Sequence, residues 1–145
     1  MSANSQLTIA IHILSWMALV EPKQPGPVTS DRIAVSVNTH PVVIRRALGL
    51  LQKGGLVRSQ RGANAGWVLA KPPDAITLLD IYKAVEAGPL FALHHSPPNQ
   101  ACPVGRGIRP TLRTVYASIE GSLRRQLGET TIAQVLAETV GRQTD

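Results

Sequence analysis

Apolar residues along the chain recur in runs separated by proline, glycine and polar breaks, and the spacing inside each run predicts its form. Residues 7–20 are almost uniformly apolar, with Leu7, Ala10, Ile11, Leu14, Met17 and Ala18 on one helical face, which predicts a buried helix. Three prolines and a glycine in residues 21–28 end it. Residues 30–37 predict a short helix that turns Ile33, Ala34 and Val37 inward. The hydroxyls of Thr29 and Ser30 are available to cap it, and Asp31 lies in its first turn, where the helix dipole favours a negative charge. After the polar break Asn38-Thr39, residues 41–54 predict a second helix. Ile44, Ala47, Leu48 and Leu51 repeat at i, i+3, i+4 and i+7, so Val42, Val43, Arg45, Arg46 and Gly49 point away from the core. Gly54-Gly55 supplies the stop.

Residues 56–60 and 66–70 have strand-like composition around Arg61-Gly62-Ala63-Asn64-Ala65, which predicts a hairpin tipped by Arg61. Helix, polar break, helix and hairpin in that order make a helix-turn-helix followed by a β-wing. Residues 76–85 return to helical spacing through Leu78, Leu79, Tyr82 and Val85, with Thr77 as cap, and this helix is expected to cover the inner face of the wing. Residues 87–109 are rich in proline and glycine and predict a loop. Beyond it, residues 110–127 predict a long helix with Pro110 tolerated in its first turn and a stripe of Leu112, Val115, Ile119, Leu123 and Leu127. That stripe must be buried on the same domain or on a second copy of the chain. A short helix over residues 131–140 ends the pattern. The expected fold class is mainly α with a small β-hairpin wing (α+β). It is organised as a winged helix-turn-helix over residues 1–86, a loop with a possible sensor role over 87–109, and a dimerisation helix plus C-terminal helix over 110–145.

Composition narrows the picture. A chain of 145 residues is long enough for one real core and short of two independent ones. The only cysteine is Cys102, which excludes an intramolecular disulfide and makes a cytoplasmic setting the simpler expectation. The apolar segment 7–20 falls short of the roughly 20 residues a spanning helix needs, and it has neither a basic flank before it nor a small-residue cleavage site after it. No membrane partner is expected.

Charge changes the picture more. Of the net +6, residues 1–70 contribute +5 (seven Lys/Arg against two acids) and residues 71–145 only +1 (eight against seven). No acidic residue occurs between Asp31 and Asp74, while Arg32, Arg45, Arg46, Lys53, Arg58, Arg61 and Lys71 all fall inside that gap. Such a surface suits a polyanion, and double-stranded DNA is the first candidate. A second helix inserted in the major groove brings Thr39, His40, Val42, Val43, Arg45 and Arg46 to the duplex, with Ser30 at the start of the first helix beside the backbone. Arg45 or Arg46 could donate to guanine or contact phosphate, and Val42 or Val43 could touch a thymine methyl. Arg61 suits the minor groove. Arg58 and Lys53 suit phosphate. The alternative for all these cations is a solvated face.

The run GLVRSQRGANAGWVLA at residues 55–70, followed by ITLLDIYKAVE at 76–86, resembles the IscR/NsrR/CymR-type family of winged helix-turn-helix transcription regulators, over nearly the whole chain. The resemblance implies a bacterial regulator, a homodimer joined through its long C-terminal helix, acting as a repressor at a palindromic operator. Well-known members hold an iron–sulfur cluster on three closely spaced cysteines in the loop before that helix. Here Cys102 stands alone in that loop, so the cluster signature is absent and no cofactor is expected, while Cys102-Pro103-Val104-Gly105 resembles the cluster-free, YwnA-like branch.

Cys102, just before Pro103 and with Arg106 and Arg109 in reach, is the candidate for an oxidation or electrophile sensor, and an unremarkable small thiol is the alternative. His94, His95 and Cys102 fall short of a four-ligand metal site. Paired catalytic carboxylates, a phosphate-cradling glycine loop and a nucleophile elbow are all missing, so an enzyme is not expected. The remaining alternative is a winged helix that binds protein and not DNA. Nothing in the sequence dictates a small-molecule effector.

Overall fold

The computed structural model describes residues 5–86 and 88–142. Within these, residues 5–86 and 127–142 form one compact unit and residues 88–126 another.

The first unit is built around α1 (Gln6–Val20), which packs against α2 (Ser30–Val37), α3 (Pro41–Lys53), α4 (Leu78–Val85) and α6 (Ile132–Gly141). A helix apolar nearly all round belongs inside a fold. Ile13 of α1 is therefore fully buried beside the expected Ala10, Leu14, Met17 and Ala18. Ile33, Ile44, Leu48, Leu51, Leu56, Val57, Ile76, Ile81 and Ile132 close the same core.

Local chemistry sets the element boundaries. Thr29 caps α2, its Oγ1 accepting from the Arg32 amide at 3.3 Å. Asn38 takes the left-handed conformation that ends α2, and the amides of Asn38 and Thr39 both reach the Ala34 carbonyl. Gly55, at φ +77°, turns the chain out of α3. Strands β1 (Val57–Gln60) and β2 (Gly66–Leu69) pair antiparallel, with Val57 opposite Leu69 and Gln60 opposite Gly66. The hairpin packs against α3 and α1, whereas α4 packs on α1 and α3. The expectation that the helix over 76–85 covers the wing is thus corrected. Its apolar side, Ile81 and Val85, is used on the helical core and the wing's inner side is closed by α1 and α3.

Two capping boxes, Thr77 with Asp80 and Thr131 with Gln134, begin α4 and α6. These two starts are bridged: the Leu78 amide donates to the Thr130 carbonyl and the Ile132 amide to the Ile76 carbonyl, both at 2.9 Å. The last helix therefore belongs with the first unit, whereas residues 110–145 were expected to group together.

The second unit consists of α5 (Pro103–Gly128) up to Gln126 and the segment before it. This segment runs back along α5: the Leu90 amide donates to Glu120 Oε1, the Phe91 ring meets the Tyr116 ring at 4.9 Å, and Arg109 Nη2 donates to the carbonyls of His94 and Ser96. Helix α5 begins at Pro103, about two turns before the expected Pro110. Pro103 takes the first position, where a missing N–H costs nothing, and Pro110 lies in the interior. Gly105 makes the early start possible, because a side chain there would collide with the Asn99 carbonyl. No residue of α5 is buried.

Candidate nucleic-acid interface

Helices α2 and α3, joined by the tight turn at Asn38-Thr39, present the long exposed side of α3. Val42, Arg45 and Arg46 are exposed there, Thr39 and Val43 are half-buried, and of the expected stripe Ile44, Leu48 and Leu51 are in the core while Ala47 is half-buried. His40 is the N-cap of α3. Its Nδ1 accepts from the Val42 amide at 3.1 Å, which leaves Nε2 as the ring's outward edge. His40 is therefore first a structural cap.

The two adjacent arginines have different surroundings. Arg45 Nη1 donates to Ser30 Oγ at 3.4 Å, so this guanidinium leans on the buried first residue of α2. Arg46 is exposed and has no partner among the described residues. Ser30 thus acts by holding Arg45, while the capping hydroxyl is that of Thr29. Arg32, part of the acid-free run, is turned aside. Its Nη2 donates to Gln24 at 2.9 Å and the guanidinium lies 5.5 Å from the centre of the Trp16 ring.

The wing is clamped at two places. Gln52 Nε2 at the end of α3 donates to Ser59 Oγ on β1 at 3.2 Å. On the other strand, Trp67 exchanges two backbone hydrogen bonds with Val28, 2.8 and 3.0 Å long, across a closely approaching Gly66. A Cβ on Gly66 would lie 2.6 Å from the Val28 carbonyl oxygen, so only glycine fits. Arg58 on β1 and Arg61 in the turn are both exposed. Gln52, Ser59 and Val28 were not among the residues singled out from the sequence, and no local pattern marks them, because each acts through a partner fixed only by the strand register.

Of the other predicted residues, Leu112, Val115, Ile119 and Leu123 line up along α5, with Val115 45% and Ile119 42% exposed. Leu127 falls in the first unit. Cys102 is half-buried, its amide donating to the Asn99 carbonyl at 3.2 Å and its carbonyl accepting from the Arg106 amide at 2.9 Å. The rings of His94 and His95 lie against each other at 4.6 Å.

A winged helix with exposed arginines on its second helix and wing is common to many regulators, and comparison with known proteins decides among them. The sequence model of a family described as "Rrf2: Iron-dependent Transcriptional regulator" matches residues 3–138. The chain belongs to the Rrf2 family. Rrf2 relatives include YwnA of Bacillus subtilis (strain 168), which carries the name of an HTH-type transcriptional regulator and is 39% identical over 92% of this chain and 96% of its own. The HTH-type transcriptional regulator CymR of the same organism is 32% identical over 81% of this chain and 78% of its own. The solved structure of B. subtilis CymR, called there the global cysteine regulator, superposes with a TM-score of 0.65 at 25% identity, covering 95% of this chain and 98% of that one. IscR of T. potens shares the fold, with a TM-score of 0.70 at 22% identity over 96% and 88%. This Rrf2 protein is accordingly a DNA-binding transcriptional regulator with the α+β winged-helix fold. Both relatives carry the names of transcriptional regulators.

The family description names iron, and the residues present do not fit it. Among the described residues no group of three or more His, Cys, Asp or Glu is placed to hold a metal ion, and Cys102 is the chain's one thiol. Among the same residues no helix is long and apolar enough to cross a membrane.

Proposed function

We propose that the protein acts in the cytoplasm as a homodimeric repressor that grips a palindromic operator, with α3 in the major groove and the wing at the adjoining minor groove. What supports this reading is that Val42, Arg45, Arg46, Arg58 and Arg61 are all exposed, that no acidic residue occurs between Asp31 and Asp74, and that the Gln52–Ser59 hydrogen bond ties the wing to the end of α3. His40 and Thr39 sit at the N-terminal end of α3, the end that reaches base edges in a helix-turn-helix. Val42 and Val43 supply apolar contact for thymine methyls. Arg46, open to solvent, is the base reader, and Arg45, already leaning on Ser30, contacts phosphate.

Dimerisation is supported by α5, a 26-residue helix with no buried residue and a continuous apolar stripe through Leu112, Val115, Ile119 and Leu123. Such a stripe favours a partner helix. Repression follows from the repressors that the chain resembles. Cys102 is the one position through which thiol oxidation or an electrophile could modulate the dimer, and equal peroxide sensitivity of operator binding in Cys102→Ser would remove that role.

Selection of bound sequences from random duplex DNA tests the whole reading. The expected product is an inverted repeat whose half-site centres lie about one helical turn, or a multiple of it, apart. Recovery of no consensus, or of a single unrepeated half-site, would contradict it.

A further inference from the structure

We infer that the cleft between α1, α3 and the end of α4 is an effector site for a small organic monocarboxylate with an apolar body, and that the ligand acts by taking Arg46 away from DNA. This rests on the reading of Arg46 as a DNA-facing residue. The cleft has a volume of about 180 Å³ and is walled by Ile9 of α1, Val43, Ala47 and Leu50 of α3, and Val85 of α4, with the polar residues Ser5, Gln6 and Arg46 also lining it. Of the wall residues only Val85 is fully inside the core, so the other four keep apolar surface that a ligand would cover.

Size and charge define the ligand class. The volume is slightly above the ~150 Å³ that admits benzene in an apolar cavity, so the body is a single ring or a short branched chain. Among the described residues Arg46 is the only charged one lining the cleft, and its planar fork pairs bidentately with one carboxylate. A phosphate ester would bring a second charge with no cation to meet it.

Coupling to DNA is built into the spacing. Val43, Arg46, Ala47 and Leu50 are the i, i+3, i+4 and i+7 positions of α3, a ridge shared between the cleft and the exposed side of the same helix. A guanidinium engaged by a carboxylate in the cleft is withdrawn from a base or phosphate. By linkage, DNA weakens the ligand by the same factor that the ligand weakens DNA.

The test uses the full chain, benzoate as probe, benzamide as its uncharged isostere, and sodium chloride matched to the benzoate salt, because salt alone weakens DNA binding. Methyl NMR on wild type is expected to show benzoate shifting the Val43, Leu50 and Val85 methyls. Benzamide should bind about tenfold more weakly, the loss of one charge-assisted contact. Saturating benzoate should weaken binding to the selected operator by about fivefold or more. Ile9→Trp, which fills the cleft from the α1 side, should abolish the shifts and hold operator affinity within about twofold. Absence of the methyl shifts in wild type, or shifts with unchanged operator affinity, overturns the inference independently of how that variant folds. If Arg46→Ala binds operator as tightly as wild type, the DNA-facing reading of Arg46 fails. If Arg46→Ala weakens operator binding and benzoate leaves wild type untouched, the cleft alone is refuted.

Discussion

Arg45 and Arg46 are neighbours in sequence that point about 100° apart around α3, and their surroundings separate two jobs the sequence leaves interchangeable. Arg45 leans on Ser30, whereas Arg46 has no partner among the described residues. Arg46→Ala is expected to cost about 1–3 kcal/mol on the selected operator and to relax discrimination at one base pair. Arg45→Ala should weaken selected and scrambled duplexes alike and lower the salt slope by about one. Anisotropy titrations on both duplexes at several salt concentrations separate the two, and equal loss of discrimination would refute the division. His40 has a stability role beside any DNA contact. Replacing it with alanine removes the cap on the Val42 amide and should destabilise the fold by about 1 kcal/mol, with His40→Asn recovering most of it in thermal melts. The cationic character of this surface was legible because charge is read directly from the chain. The diversion of Arg32 to Trp16 and Gln24 was not, since it joins residues brought together only by the packing of α1 on α2.

Among the elements, those with a clean period came through the sequence reading best. The i, i+3, i+4, i+7 repeat of α3 predicts three of its four stripe residues as buried, Ile44, Leu48 and Leu51, with Ala47 left half-buried, and the Thr77 and Asn38 signals fall where the chain turns. The start of α5 was hidden because Pro103, Gly105, Gly107 and Pro110 are all residues that usually punctuate loops. Only the close passage of Asn99 over Gly105 explains why a glycine belongs inside that first turn. The wing's clamp was equally invisible, because Val28 looks like a stray apolar residue after three prolines until it is paired with Trp67. Gly66→Ala should therefore break that pairing, lowering the melting temperature and loosening the wing, with hydrogen exchange at the Trp67 amide as the sensitive probe. Unchanged protection of that amide would refute the clamp. At the other end of the chain, Ile132 is fully buried in the first unit, and Ile132→Ala should cost about 2–5 kcal/mol in urea unfolding, as for other core truncations.

For the whole molecule, the apolar side of α5 and the cationic side of the winged helix make one prediction together. Ile119→Glu, or Val115→Glu, should convert a dimer to monomers in sedimentation experiments, because a charge would enter the proposed α5 seam. Each variant should then bind a palindrome no better than a single half-site. Retention of a dimer with full operator affinity would show that α5 is not the seam.

The bridge between Thr77 and Thr131 has a consequence for how the protein is made. It ties the beginning of α4 to the beginning of α6, so the chain leaves the first unit after α4, forms residues 88–126, and returns to supply Ile132. A ribosome synthesising this chain delivers α1, α3 and the wing early, yet the core they share stays open until residue 132 has emerged. The DNA-reading unit is thus completed only after the α5 segment has been translated. Truncated nascent chains are expected to expose the apolar side of α1, and a monomeric DNA reader should not accumulate ahead of the residues proposed to pair it.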